Sequence, residues 1–258
     1  YGGDNTTFQY CLISEACSDR HNFGGIWGNN YGSYHHNLFA HNASRTPRWT
    51  SKGSGFNDHR NNVIYNWERN NCYGGSGRDT INMVANYYKP GPATKSDVMA
   101  QIADPNSGSW YVAENVVEGS TEVTNDNWLG VTGGSKLESP WDAMPINQQT
   151  AEEAYETVLE QVGCVLPNRD SVDTRIIEEV RSGTAAHGAG GIIQTPGEVG
   201  GWPELASGTP YTDSDHDGMP DSWETENGLN PNDPEDRNQT DAVGWTMLEK
   251  FLNSIDSF

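Results

Sequence analysis

The sequence predicts an all-β protein: a right-handed parallel β-helix with a few peripheral helices and a small acidic module at its C-terminus. Two observations predict the β-helix. Short segments rich in aromatic and β-branched residues, bounded by Gly, Asn or Ser, recur through the first hundred residues. An asparagine also recurs at one position of this repeat. A fixed period with one strand pattern per unit indicates a solenoid.

The repeat is defined by four segments, residues 6–13, 33–42, 58–67 and 79–88. If Cys11, Asn37, Asn62 and Asn86 are equivalent, the steps between them are 26, 25 and 24 residues. In a stacked coil, Asn side chains at this register can hydrogen-bond to one another, and Asn also tolerates the left-handed turn conformation. Helical repeats are the competing interpretation, but Gly and Asn are too frequent here for helices.

The chain divides into three predicted parts: β-helix coils in residues 1–148, a helical or extended segment packing on them in 149–210, and a small module in 211–258. Thr150 begins a helix with a capping box, because Glu153 follows three residues later. A second helix is predicted over residues 170–181, where apolar residues recur at helical spacing. Gly and Pro in residues 188–210 indicate a linker into the module.

Charge is distributed unevenly along the chain. Residues 1–100 contain 9 Lys and Arg against 7 Asp and Glu, whereas residues 101–258 contain 6 against 29, and the net charge is −21. An acidic chain without a basic stripe lacks the electrostatic footprint of a nucleic-acid-binding protein. No stretch is long and apolar enough to span a bilayer. We therefore expect neither nucleic acid nor a membrane as a partner.

A rigid pair of arginines lies in the less acidic part. Arg45 and Arg48 flank Thr46 and Pro47, directly after an aromatic- and Asn-rich segment. Proline fixes its own φ and favours an extended Thr46, which limits the freedom of both guanidinium groups. Planar guanidinium groups match carboxylates geometrically, so the pair suits an acidic ligand. The alternative is two ordinary surface arginines in a loop.

Residues 213–224 fit the EF-hand loop template at every ligand position. Gly218 stands at position 6, where the loop turns sharply. The predicted Ca²⁺ ligands are the carboxylates at positions 1, 3, 5, 9 and 12 and the carbonyl at position 7, namely Asp213, Asp215, Asp217, Asp221, Glu224 and Met219. The loop resembles those of thrombospondin type 3 repeats and dockerins. We expect a structural calcium site and a secreted, extracellular or periplasmic protein.

The segment that follows, residues 236–250, is amphipathic at its end but lacks the acidic positions of the template. It is predicted to be a packing helix rather than a second metal site.

Several motifs together resemble polysaccharide lyase family 1, the pectate lyases. Residues 24–30 (GGIWGNN) and 34–49 (YHHNLFAHNASRTPRW) carry this resemblance. Three later stretches resemble secreted bacterial members: CVLPNRD with VDTRIIEEVRSGT, then EVGGWPEL, and DSDHDGMPDSWETENGLNPNDP. The resemblance covers most of the chain. It implies a pectin-lyase-like solenoid, β-elimination of polygalacturonate, and a chain that is the C-terminal part of a longer enzyme.

The resemblance also implies roles for the two arginines. Arg45 matches the family's base, which removes the C5 proton of a uronate, and Arg48 would hold a substrate carboxylate. Arginine is normally protonated, so such a base requires neighbouring cations and desolvation. In the family, a catalytic Ca²⁺ bridging the substrate carboxylate acidifies the C5 proton. An alkaline pH optimum is the expected consequence.

The sequence departs from the family pattern in three places. Thr50 occupies the position of a third arginine. His21 lies where a lysine is expected, and it is either a substrate-binding residue or a merely solvated histidine. The family's catalytic calcium ligands lie upstream of the position matching Tyr1, and neither Asp4 nor Glu15 falls on a ligand position. A missing N-terminal part of the β-helix is therefore an expected partner.

Two alternatives stay open from the sequence. The chain could instead be a non-catalytic β-helix that binds acidic polysaccharide, such as an adhesin or a lyase-derived binding module. The four cysteines permit three pairings, among which Cys17 with Cys72 is one option and buried thiols are another.

Overall fold

The computed structural model describes residues 2–18, 21–205 and 207–255. The chain forms two compact units, which divide between Pro203 and Glu204. The first unit is a β-solenoid of about five coils in which every strand pairing is parallel. The predicted right-handed parallel β-helix is confirmed.

Each of the first four coils contributes one strand to each of three sheets. The first coil contains β1 (Thr6–Gln9), β2 (Leu12–Ser14) and β3 (Ile26–Trp27), and the second contains β4 (Tyr31–His35), β5 (Leu38–Ala40) and β6 (Arg48–Trp49). The third contains β7 (Phe56–Arg60), β8 (Val63–Tyr65) and β9 (Cys72–Gly74), and the fourth β10 (Thr80–Val84), β11 (Tyr87–Lys89) and β12 (Ala103–Pro105). The last strands are β13 (Ser109–Ala113), β14 (Val116–Val117) and β15 (Ser135–Lys136).

An asparagine ladder runs through the coils at the predicted register. The amide of Asn37 donates to Oδ1 of Asn62 over 2.9 Å, and the amide of Asn62 donates to Oδ1 of Asn86 over 3.0 Å. Asn86 continues the ladder to Asn115 over 2.9 Å, one coil beyond the predicted repeat. Each Oδ1 also accepts a backbone N–H from the coil before it, as Asn37 does from Cys11. The ladder thus satisfies buried backbone groups at every coil.

The residue before each ladder position adopts a left-handed conformation. The left-handed residue and the ladder residue after it form a two-residue turn. In every coil this turn joins the strand of the first sheet to the strand of the second sheet. A non-glycine residue in this conformation costs about 1–2 kcal/mol, so the hydrogen bonds of the ladder must hold it. The residues are Tyr10, His36, Asn61, Ala85 and Glu114, all with φ between 51° and 62°.

Aromatic rings fill the interior of the solenoid. Trp27 stacks on Tyr34 with ring centroids 4.5 Å apart, and Trp49 meets Tyr34 edge-on. His59 lies fully buried among these rings, and burial lowers the pKa of its imidazole to about 3. Cys72 is also buried, with its sulfur accepting from the Trp49 indole. All four thiols are free, so no disulfide joins Cys72 to another cysteine.

Helices cover the outer face of the second sheet. The helices of this unit are α1 (Thr121–Asn125), α2 (Ala151–Gln161) and α3 (Ser171–Ser182). The predicted capping box of Thr150 and Glu153 begins α2, and Asp170 caps α3. Both packing helices are therefore confirmed. Their apolar faces pack on the sheet through Val158, Leu159, Val162, Ile176, Ile177 and Val180 against Leu38, Ala40, Val63 and Tyr65.

The segment expected to be a linker is partly a packed piece of the first unit. Ile192 and Ile193 are buried, and the Asn22 amide donates to the Ile193 carbonyl over 2.6 Å. Residues 196–199 then form a 3-10 turn. Composition alone indicated a linker because Gly and Pro surround two isolated isoleucines whose partners lie far away in sequence.

The second unit is small and has its own core. It contains α4 (Asp221–Glu226), a 3-10 turn over residues 236–238, and α5 (Met247–Ser254). Met219, Trp223 and Phe251 form the core, with the last two rings 5.5 Å apart. The segment 236–250, predicted to be a packing helix, is α-helical only at its end, where α5 begins at Met247 and continues to Ser254. Within the described ranges, no helix is long and apolar enough to cross a membrane.

Candidate functional site

Arg45 lies in the loop that leads from β5 to β6. Its backbone has a φ of 62°, and its carbonyl accepts a hydrogen bond from the Gly25 N–H over 2.8 Å. A Cβ added at Gly24 would lie 2.6 Å from the same carbonyl oxygen, so the first coil approaches Arg45 this closely because Gly24 has no side chain. The preceding coil therefore fixes the strained backbone of Arg45.

The Arg45 side chain contacts two aromatic residues. Its Nε donates to the Tyr73 hydroxyl over 3.1 Å, and its Cζ lies 4.5 Å from the centre of the Phe23 ring. Its terminal nitrogens have no hydrogen-bond partner among residues 2–18, 21–205 and 207–255. Donor groups without an acceptor among the described residues are suited to bind a ligand.

Arg48 lies on β6, where the strand register places it opposite Tyr73 of β9. Trp49 follows and is buried in the solenoid, so alternation along the strand directs Arg48 outward. The Arg48 Cζ lies 5.8 Å from the centre of the Tyr73 ring. Its Nε is buried and has no hydrogen-bond partner in the described part of the chain. Arg45 and Arg48 thus converge on one tyrosine.

A third arginine and a histidine contact the other aromatic residue of the site. The Arg69 Cζ lies 5.2 Å from the Phe23 ring centre, and the exposed His21 ring lies 4.3 Å from it. Arg69 also pairs with Glu68 over 2.6 Å. We call the group formed by Phe23, Arg45, Arg48, Arg69 and Tyr73, with His21 at Phe23, the cationic surface.

Sequence reasoning found Arg45, Arg48 and His21 but missed Phe23, Arg69 and Tyr73. For Tyr73 a signal existed, because it follows Arg48 by 25 residues, one period of the repeat. Phe23 and Arg69 lie in loops whose lengths the repeat does not fix.

The cationic surface provides no acidic cluster for a metal. Glu15 accepts from Arg175 of α3 over 2.8 Å, and Asp4 accepts from the Asn30 amide. Across the described residues, each group of three or more acidic, His or Cys side chains that could hold an ion lies in the second unit. The described residues around Arg45 and Arg48 therefore do not fit a catalytic Ca²⁺.

The acidic loop of the second unit brings most of its predicted ligands together. Oxygens of Asp213, Asp215 and Asp217 lie within 4.8 Å of one another. Glu224 joins a second group with Asp217, again within 4.8 Å. The carboxylate of Asp221, also a predicted ligand, accepts hydrogen bonds from the backbone N–H and the hydroxyl of Ser214, over 2.8 and 2.7 Å.

Met219, expected to offer its carbonyl, donates its backbone N–H to Asp217 over 2.8 Å and buries its side chain in the core. The third member of the second acidic group is Asp236. Sequence reasoning missed Asp236, because it lies outside the loop template.

Buried carboxylate oxygens without donors mark this loop. Glu224 is completely buried, and neither of its carboxylate oxygens has a hydrogen-bond partner within the described residues. Burial, followed by the charges of Asp215 and Asp217, raises the pKa of Glu224 to about 7. Burying unpaired carboxylates is costly, and hard cations such as Ca²⁺ prefer oxygen ligands. The donor set therefore fits calcium.

Comparison with known proteins found relatives over almost the whole chain. No family model matches. The chain is 35% identical over 263 residues to "Probable pectate lyase C" of Aspergillus terreus, a match that covers 97% of this chain and 60% of that protein. Proteins of the same name from Aspergillus flavus and Emericella nidulans are each 32% identical, over 97% and 98% of this chain. The chain spans about 60% of the length of these relatives.

Proposed function

We propose that this chain carries the proton-abstracting arginine of a pectate lyase that cleaves polygalacturonate by β-elimination. The convergence of Arg45 and Arg48 on Tyr73 carries the proposal, because it places two guanidinium groups on one outward surface. Similarity to proteins named pectate lyase C supports the same activity.

Arg45 is the proposed base. Its Nε is engaged by Tyr73, which leaves the terminal nitrogens to face the substrate. In the reaction, a terminal nitrogen takes the C5 proton of a uronate and the C5–H electron pair forms the C4–C5 double bond. The C4–O bond breaks, and the leaving glycosidic oxygen takes a proton from solvent. The step needs neutral Arg45, so activity should increase towards alkaline pH.

Arg48 is the proposed clamp on the substrate carboxylate. Negative charge develops on the carboxylate attached to C5 as the proton leaves, and a fixed guanidinium group stabilises that charge. A carboxylate that binds the outward guanidinium of Arg48 would form charge-assisted hydrogen bonds with it. His21 has a lesser role: its exposed ring on Phe23 would contact the sugar chain beside Arg45.

Two roles for calcium need to be distinguished, one catalytic and one structural. The resemblance to pectate lyases implies a catalytic ion, but the described residues around Arg45 do not fit one, and we derive no step through it. In the second unit, we propose a structural Ca²⁺ bound by the acidic loop of residues 213–224, with buried Glu224 as a ligand. Weakly binding loops of this kind suit the calcium concentrations outside cells, so we also propose a secreted protein.

The test is an assay of product and binding together. The purified chain is incubated with polygalacturonate, with and without calcium, and unsaturated uronate is followed by its ultraviolet absorbance. We expect product from the wild type and from Arg181→Ala, a control on the surface of α3, but none from Arg45→Ala. Binding of polygalacturonate without any unsaturated product would overturn the proposal in favour of a non-catalytic binding module.

A further inference from the structure

We propose that the acidic loop of the second unit binds two divalent cations, which share Asp217 as a bridging ligand. Asp236, from outside the loop, is a ligand of the second ion. The inference rests on the proposed calcium role of the loop and adds a second position to it.

The carboxylates of the unit form two sets rather than one. Oxygens of Asp213, Asp215 and Asp217 lie within 4.8 Å of one another, and so do oxygens of Asp217, Glu224 and Asp236. Because Ca²⁺–oxygen distances are about 2.3–2.6 Å, two ligands of one ion lie at most about 5 Å apart. Each set therefore matches one ion: Asp217 belongs to both, and Glu224, the buried ligand proposed for the loop, lies with Asp236 in the second set.

The second set is buried and lacks donors. Asp217, Glu224 and Asp236 are at most 3% exposed. Both oxygens of Glu224, Oδ2 of Asp217 and Oδ1 of Asp236 have no hydrogen-bond partner within the described ranges. The missing partner of these oxygens must be a cation or protons, because buried carboxylates without either are strongly unfavourable.

Asp236 is held in position by its surroundings. Its Oδ2 accepts the backbone N–H of Asn230 over 2.8 Å, and its Oδ1 has no hydrogen-bond partner among the described residues. The neighbouring Arg237 donates to the backbone carbonyl of Asp217 over 2.9 Å, so the turn is tied to the loop. This guanidinium group holds the backbone and forms no ion pair with the carboxylates among the described residues.

The number of charges also favours two ions. The two sets together contain five carboxylates. One divalent ion would leave about three negative charges close together, whereas two ions would leave about one. Like charges at such short distances repel strongly in a buried site.

The test is the calcium stoichiometry of the whole chain, stripped of metal and then titrated with calcium, by native mass spectrometry and calorimetry. We expect the wild type to bind two ions at this unit and Asp236→Asn to bind one fewer. The control Asp233→Asn, an exposed carboxylate three residues earlier, should bind as many ions as the wild type. Thermal unfolding followed by circular dichroism verifies that each variant is folded.

Three results would overturn the inference. One ion in the wild type would remove the second position but leave the proposed calcium loop intact. No bound ion would remove both. An unchanged count in Asp236→Asn would show that Asp236 is not a ligand. The lyase assay is a separate measurement on the first unit, so its failure would not be confused with any of these.

Discussion

The Nε of Arg45 donates to the hydroxyl of Tyr73 over 3.1 Å, across one coil of the solenoid. The same ring lies 5.8 Å from the guanidinium of Arg48. Tyr73 therefore contacts both the proposed base and the proposed clamp, and its hydroxyl fixes the orientation of Arg45.

Removing the Tyr73 hydroxyl should slow turnover and leave substrate binding nearly unchanged. In Tyr73→Phe, Arg45 loses its acceptor but keeps the ring beneath Arg48. A hydrogen bond to a charged group contributes about 1.5–3 kcal/mol, so we expect kcat to fall about tenfold or more, with little change in KM. Initial rates on polygalacturonate measure both. Tyr111→Phe on β13 is the matched control, and a wild-type kcat in Tyr73→Phe would exclude the positioning role.

Truncating Arg48 should weaken substrate binding. Arg48→Ala removes the guanidinium that would pair with the uronate carboxylate, and we expect KM to increase about 10- to 100-fold and kcat to fall as well. Arg48→Lys should recover only part of the loss, because lysine is a point charge without the planar fork. Initial rates measured over a range of polygalacturonate concentrations give KM for each variant. An alanine variant with unchanged KM would show that the substrate carboxylate binds elsewhere.

Breaking the asparagine ladder should destabilise the solenoid. Asn62→Ala leaves the buried backbone N–H of Asn37 without its acceptor and removes several further hydrogen bonds. With each unsatisfied buried group costing about 1–3 kcal/mol, we expect a loss of about 3–5 kcal/mol in the free energy of unfolding. Urea denaturation measures it, with the exposed Asn147→Ala as control. A loss below about 1 kcal/mol would contradict the ladder's role.

Acid should destabilise the first unit through His59. Its pKa is lowered from 6.5 to about 3 by burial, so the unfolded chain binds a proton between these values while the folded chain does not. Stability is therefore present above about pH 6.5 and is lost progressively as the pH falls towards 3. His59→Leu should flatten this dependence in thermal unfolding followed from pH 7 to 4. A residual slope is expected, because burial also lowers the pKa of His35 to about 4.

The repeat of Asn and the capping signal at Thr150 were sufficient to predict the coils, the ladder register and the covering helices. Such features depend on local spacing, which a sequence displays directly. Phe23, Arg69 and Asp236 were not predictable in the same way. Each contacts residues on another coil or turn. Because the loops between strands vary in length, the sequence does not show which residues become neighbours. The burial of Ile192 and Ile193 was not predicted for the same reason, since their contacts lie far away in sequence.

The central claim is that Arg45 is the base, and the kcat of Arg45→Ala on saturating polygalacturonate at alkaline pH tests it most directly. General-base groups contribute about 10²- to 10⁴-fold. We predict that release of unsaturated uronate falls at least about 100-fold while polygalacturonate binding stays within a few-fold of wild type. A variant that retains kcat within about tenfold of wild type would contradict the assignment of Arg45 as the base.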